Sequence, residues 1–187
     1  MDIPWGSEAA HKFATNVGLI TSNGPNGHNI MAAEWTHHIS YSPGLIAVFI
    51  GHKKATLENI HKSKEFGVSM AALDQNVLAS ISGGSSGRDV DKIATLKELG
   101  FKLEKAKKID VWMPEGSAFS AECKVVNEMP LGDHTMVVGE VLDFSIGKKD
   151  SVIYHQGKYW KVGEKVEKPP DKDLELINSI VEKHRKK

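Results

Sequence analysis

The chain has 187 residues, enough for one domain with a substantial core but cramped for two. Lys plus Arg and Asp plus Glu each total 24, so formal charge cancels; this excludes a broad polyanion-binding surface and leaves room for a local basic pocket. The single cysteine, Cys123, excludes an internal disulfide framework and a cysteine-based zinc site, and with no run near the ~20 apolar residues of a bilayer span the expectation is a soluble cytoplasmic protein with no nucleic-acid or membrane partner.

The opening stretch "MDIPWGSEAAHKF" lacks both a basic start and a long apolar run, so it reads as neither signal peptide nor anchor. Strand-forming residues cluster in "NVGLIT" at 16–21 and "LIAVFIG" at 45–51. Thr56, a preferred N-cap type with Glu58 in the first turn, predicts a helix through "LENIHKSKEF", and "FGVSM" at 66–70 predicts the next strand. Asp74 introduces a short helix over "QNVLASIS". The following "SGGSSGRDVDK" at 82–92 has the composition of a linker, yet a helix follows it directly: one starting at Asp89 or Asp91, with Ile93, Leu96 and Leu99 on one face and Gly100 as its stop.

Farther along, "SAFSAECKVV" at 117–126 alternates approximately, as a half-exposed antiparallel strand does, and "HTMVVGEVLDFSI" at 134–146 is a long strand. "SVIYH" and "KYWKV" flank Gln156-Gly157, a hairpin turn signal. After the Pro169-Pro170 break, residues 171–185 form an amphipathic helix. No repeat is present and strands outnumber helices, so the pattern fits an antiparallel barrel with helices on its rim.

The strongest chemical signal is "GHKKATLEN" at 51–59. A strand ends, glycine permits close backbone approach, and His52, Lys53 and Lys54 precede a helix N-terminus; this combination suits a phosphate or carboxylate, the alternative being a basic turn before a capped helix. It is not a Walker loop, and "GGSSG" is not GxGxxG. The nine histidines do not assemble a metal site: His37 and His38 point to opposite faces of a strand, and His52 and His61 have no carboxylate at metal spacing. There is no G-x-S-x-G elbow for a serine hydrolase. Trp5, Trp35, Trp112 and Trp160 lack a basic track for nucleic acid and read as core or subunit-contact aromatics.

Read together, "NIMAAEWTHHISYSPGLIAVFI" at 29–50, "KKATLENIHKSKEFGVSM" at 53–70, "SGGSSGRDVDK" at 82–92, "GDHTMVVGEVL" at 132–142 and "YHQGKYW" at 154–160 form an ordered set. The set resembles the flavin reductase-like, FMN-binding split-barrel family, which includes NAD(P)H:flavin oxidoreductases, ferric reductases and flavoredoxin. The resemblance implies a mainly β protein, a six-stranded antiparallel Greek-key split barrel with short rim helices. It also implies a homodimer with FMN near the subunit interface, FAD being the alternative flavin, and NADH or NADPH as co-substrate. The barrel domain would cover residues 1–165, with a helical tail at 166–187. Hydride would pass from NAD(P)H to the flavin and on to free flavin, a ferric chelate or a partner protein. The alternatives are a flavoredoxin-like carrier without efficient NAD(P)H turnover and, more remotely, a non-redox ligand-binding module.

Carried over residue by residue, the resemblance lays the flavin ring along the backbone of Ala33, Glu34, Trp35 and Thr36. It sets the phosphate on the turn Gly51, His52, Lys53, Lys54, Ala55 and Thr56, and draws Ser85, Ser86 and Arg88 to the flavin from the Gly/Ser loop. His134, His155, Gly157 and Tyr159 would face the nicotinamide, with His134 positioning it; the alternative for His134 is a strand histidine at the barrel rim. This chain departs from the family pattern at Pro43-Gly44, a change expected to be neutral, and at Glu34. A carboxylate there disfavours an anionic reduced flavin unless its side chain points away.

Overall fold

The computed structural model describes residues 1–186. A 3-10 turn at Ala10–Lys12 precedes β1 (Thr15–Asn16), β2 (Gly18–Ser22), β3 (Asn29–Ala33), β4 (Thr36–Ser40) and β5 (Leu45–Gly51). Then come α1 (Ala55–Ser63), β6 (Glu65–Met70), α2 (Asn76–Gly84) and α3 (Lys92–Glu98). The chain continues through β7 (Leu103–Lys105), β8 (Trp112–Pro114), the long β9 (Phe119–Leu131) and β10 (His134–Ile146), β11 (Ile153–His155), β12 (Lys158–Trp160) and α4 (Asp171–Lys183).

The main sheet has the order β3-β2-β6-β9-β10-β5-β4, antiparallel at every pairing. Its end strands β3 and β4 are consecutive in the chain, separated only by Glu34 and Trp35, and the Trp35 carbonyl accepts from the Phe49 amide at 3.0 Å. The seven strands are thus a six-membered ring whose β3–β4 member is interrupted at Glu34-Trp35. The crossing from β5 to β6 through α1 supplies the Greek-key step. β1, β11 and β12 form a small side sheet, and Gln156 and Gly157 both adopt positive φ in its tight turn, the conformation that Gly and a few polar residues tolerate.

Two apolar clusters hold this arrangement. Ile20, Val48, Ile50, Phe66, Val68 and Val137 fill the barrel with Leu57 and Ile60 of α1. Leu19, Ile30, Leu78, Ala79, Ile93 and Leu96 join the outside of β2 and β3 to α2 and α3. Both faces of β2 are covered, so all five of its residues are buried, Thr21 and Ser22 included; Leu19 and Ile20 each contribute ~1.5–3 kcal/mol relative to exposure. α4 buries none of its side chains.

Several local expectations change. Thr56 is not the cap of α1: the extended Lys54 holds that place without a side-chain cap bond, and the helix ends at Ser63 because Lys64 turns left-handed at φ 59°. Asp74 pairs with Lys149 instead of capping α2. Asp91, not Asp89, caps α3 by accepting from the Ala94 amide at 2.9 Å. Gly100 does end that helix, donating to the Lys97 carbonyl while Phe101 donates to that of Leu96, so Leu99 turns outward to solvent. Segment 117–126 is not evenly half-exposed, since Ala121, Glu122 and Cys123 are all buried. The Glu122 carboxylate accepts from the amides of Lys107, Lys108 and Ile109, and burial pushes the Cys123 thiol up to about 12, leaving it inert. Of the tryptophans, half-buried Trp112 packs against the second apolar cluster, while Trp5, Trp35 and Trp160 are exposed.

Candidate active site

The turn after β5 is built by backbone bonds. The Lys54 amide donates to the Gly51 carbonyl at 3.0 Å, and the His52 amide reaches the Asp133 carbonyl at 3.3 Å, tying the turn to the start of β10. At the head of α1 the Ala55 and Thr56 amides find no acceptor among the described residues. Both residues, with Lys53 and Lys54, line a cavity of about 360 Å³. Free helix-start amides beside two lysines create a field that favours an anion.

The opposite wall is the end of α2, the loop Ser85–Gly87 and Lys92 of α3. Lys92 is only 2% exposed, and its ammonium donates to the carbonyls of Ser82 at 2.9 Å and Ser85 at 3.3 Å. Burial, with a smaller effect from the charge of Lys54, pushes its pKa down to about 8. Between the walls sits buried Asn29, whose Nδ2 donates to Thr56 Oγ1 at 2.8 Å while its Oδ1 has no partner among the described residues. A side chain at position 87 would place its Cβ 2.4 Å from that oxygen, so the close approach of the loop requires glycine.

A second cavity of about 590 Å³ adjoins the first, with Ala32, Lys54 and Gly83 lining both. Ala33 and Glu34 form one side, His134 another, and the β11–β12 hairpin contributes Tyr154, Gly157 and Tyr159. Tyr154 and Tyr159 meet edge to face at 5.4 Å, and Ser80 donates to the Tyr159 hydroxyl at 3.3 Å. Burial, and after it the charge of Glu34, raise the Tyr154 pKa. Glu34 does not point away: it lines the cavity and accepts from Trp5 Nε1 at 3.2 Å. Asp133 Oδ1 lies 2.6 Å from His134 Nδ1, and this bond holds the Asp133 carboxyl below its usual range; the other side of the imidazole packs 4.7 Å from the Trp35 ring.

Of the sequence-predicted positions, Ala33, Glu34, His134, Gly157 and Tyr159 line the larger cavity, Lys53, Ala55, Thr56, Ser85 and Ser86 the smaller, and Lys54 both. Others stand outside these walls. Thr36 is buried beneath them and donates to the Ala33 carbonyl, while exposed Trp35 backs His134. Gly51 and His52 form the scaffold of the turn, and His155 bonds the Phe13 carbonyl through Nδ1. Arg88 turns away, donating to Glu58 at 2.9 Å and to the Lys53 carbonyl at 2.6 Å. The sequence reading missed Asn29, Lys92 and Trp5. The first two come from segments already singled out, and the available signal was a lysine directly after a helix cap, on the apolar side of α3 with Ile93 and Leu96.

The family model described as a flavin reductase like domain matches residues 10–163, and the chain belongs to this family of flavin-dependent oxidoreductases. An uncharacterized protein of Archaeoglobus fulgidus is 34% identical over 129 residues, covering 69% of this chain and 71% of its own. An NADH-dependent flavin reductase of Rhodococcus sp is 24% identical over 156 residues, 81% of this chain and 82% of its own. Among solved structures, flavin reductase PheA2 in its native state superposes with a TM-score of 0.73 and 31% identity, covering 88% of this chain and 100% of that one.

Proposed function

We propose that the protein is an NAD(P)H-dependent flavin reductase that binds FMN non-covalently, with FAD as the alternative flavin. The observation that carries this reading is the pair of joined cavities: a small one walled by lysines and unpaired helix amides, opening into a wider one walled by aromatic and backbone groups. The half-satisfied Asn29 amide also fits an anion in the small cavity: with the amide turned so that Thr56 donates to Oδ1, Nδ2 is left as a donor for the ligand. A flavin mononucleotide has matching parts, a dianionic phosphate and a flat ring system.

In this reading Lys53, Lys54 and the Ala55 and Thr56 amides hold the phosphate, Ser85 and Ser86 close the loop over it, and the backbone at Ala33 and Glu34 runs along the ring. A flavin held there would supply the redox chemistry, hydride acceptance from a dihydronicotinamide and electron transfer to an acceptor. The chain itself binds, orients and keeps water out. Asp133 holds His134 Nδ1, so Nε2 is free to orient the nicotinamide, with Gly157 and Tyr159 opposite. The Glu34 carboxylate opposes build-up of negative charge in the larger cavity and so lowers the potential of its occupant.

A homodimer is part of this proposal, supported by the exposed apolar side chains Ile39, Phe144 and Ile146, as is a cytoplasmic setting. The flavin-binding unit would end near residue 165, with 166–187 as a helical tail. The test is steady-state oxidation of NADH and of NADPH with added FMN. Turnover with either supports the reductase; tight FMN binding without turnover makes the protein an electron carrier, and no flavin binding defeats both.

A further inference from the structure

We infer that Lys92, and not Arg88, is the cation that neutralises the phosphate of the bound flavin, and that Asn29 turns over its amide to complete the clamp. This rests on the flavin-binding reading above and assigns roles to residues that the family motifs alone did not single out.

Arg88 is by charge and position the natural anion ligand of the Gly/Ser loop. Both ends of its guanidinium are engaged, one by the Glu58 carboxylate and one by the Lys53 carbonyl. It is a brace that fixes the loop to α1 and to the lysine turn. Lys92 is the opposite case. Its ammonium is buried and held only by two neutral carbonyls, of Ser82 and Ser85, both in the cavity wall. An ammonium carries three donors, so one remains. No carboxylate lies within ion-pair distance among the described residues, and the nearby charge is a second cation, Lys54. Two cations converging on one small cavity, one of them buried, is an unfavourable arrangement that an anion between them reverses.

Asn29 supplies the second observation. It is 2% exposed, lines the same cavity, and has an orphaned carbonyl oxygen because its NH2 group is given to Thr56 Oγ1. A hydroxyl donates as readily as it accepts. Rotating the amide by half a turn lets Thr56 donate to Oδ1 and presents Nδ2 to a phosphate oxygen. Every polar group of the pair is then satisfied, which it is not without the anion.

The test compares FMN with riboflavin, which has the same ring and ribityl chain but no phosphate, by fluorescence titration of the flavin-free protein. Lys92→Met should weaken FMN binding roughly 10- to 100-fold and leave riboflavin within about twofold. Asn29→Asp, which puts a carboxylate against the phosphate, should act in the same direction. Arg88→Ala, which removes only the brace of the loop, should lower the preference for FMN over riboflavin less than Lys92→Met does. Lys92→Gln retains a donor for the Ser82 and Ser85 carbonyls and serves if the methionine variant does not fold. An unchanged FMN-to-riboflavin ratio in the Lys92 variants, or a larger fall in Arg88→Ala than in Lys92→Met, overturns the inference. Failure of the wild type to bind either flavin defeats the flavin reading instead. The clamp is then judged with inorganic phosphate, which should raise the melting temperature of the wild type and not of Lys92→Met; equal shifts would overturn it.

Discussion

Replacing Gly87 with alanine tests whether the Gly/Ser loop is packed against the site or merely passes it. The added Cβ would lie 2.4 Å from Asn29 Oδ1 and 2.6 Å from its Cγ. Ordinary contact begins near 3.4 Å, so the loop and Asn29 must separate by about 1 Å. Asn29 cannot retreat freely, because it is buried and its amide is bonded to Thr56. Overpacking of this kind costs ~1–3 kcal/mol, and loss of the Asn29–Thr56 bond adds ~1 kcal/mol. The sum, ~2–4 kcal/mol, lowers the Tm of a chain this size by roughly 4–16 °C. Displacing the loop also separates Lys92 and Ser85 from the lysine turn, so FMN affinity should fall about tenfold while riboflavin changes little. Thermal unfolding followed by circular dichroism, and fluorescence titration with both flavins, read the two effects. A variant with wild-type Tm and wild-type FMN affinity would refute the packing argument.

Thr56→Val leaves the shape of the side chain and removes the acceptor for Asn29 Nδ2, so urea unfolding should show a loss of ~1–3 kcal/mol; an unchanged midpoint would mean that Asn29 finds another partner. Glu122→Ala strips the acceptor from three amides of the 107–109 loop and should cost ~3 kcal/mol or more, with faster amide exchange at Lys107, Lys108 and Ile109; wild-type protection there would contradict the stapling role. The buried Lys92 makes stability depend on pH. Its folded pKa of about 8 lies below the ordinary 10.5, so between these values the unfolded chain binds more protons, and the flavin-free wild type gains stability as pH rises through this window relative to Lys92→Met. Parallel pH profiles for the two proteins would contradict that.

The ordered segments carried the barrel, because strands such as Leu45–Gly51 and His134–Ile146 are long, apolar and bounded by turn residues. The Gln156-Gly157 turn and the Gly100 helix stop were legible for the same reason: both need backbone conformations few residues adopt. What sequence could not show was the destination of individual side chains. Thr56 looks like a cap by type and position, yet its hydroxyl is claimed by Asn29, 27 residues away. Glu122 reads as a solvent-facing member of an alternating strand, yet a loop folds over it and supplies three donors. Arg88 and Lys92 are four residues apart in one motif, and it is Glu58 on α1 together with the Lys53 carbonyl that engages Arg88. Such outcomes depend on long-range partners, which local pattern does not encode.

The central claim is that the joined cavities hold a flavin that a nicotinamide reduces in place. Anaerobic addition of NADH, and separately NADPH, to the FMN-loaded protein tests it directly by the visible flavin absorbance. The account predicts stoichiometric bleaching with at least one of the two, and markedly slower bleaching in a His134→Ala variant that still binds FMN. A flavin that stays oxidised in the presence of both nucleotides would contradict it.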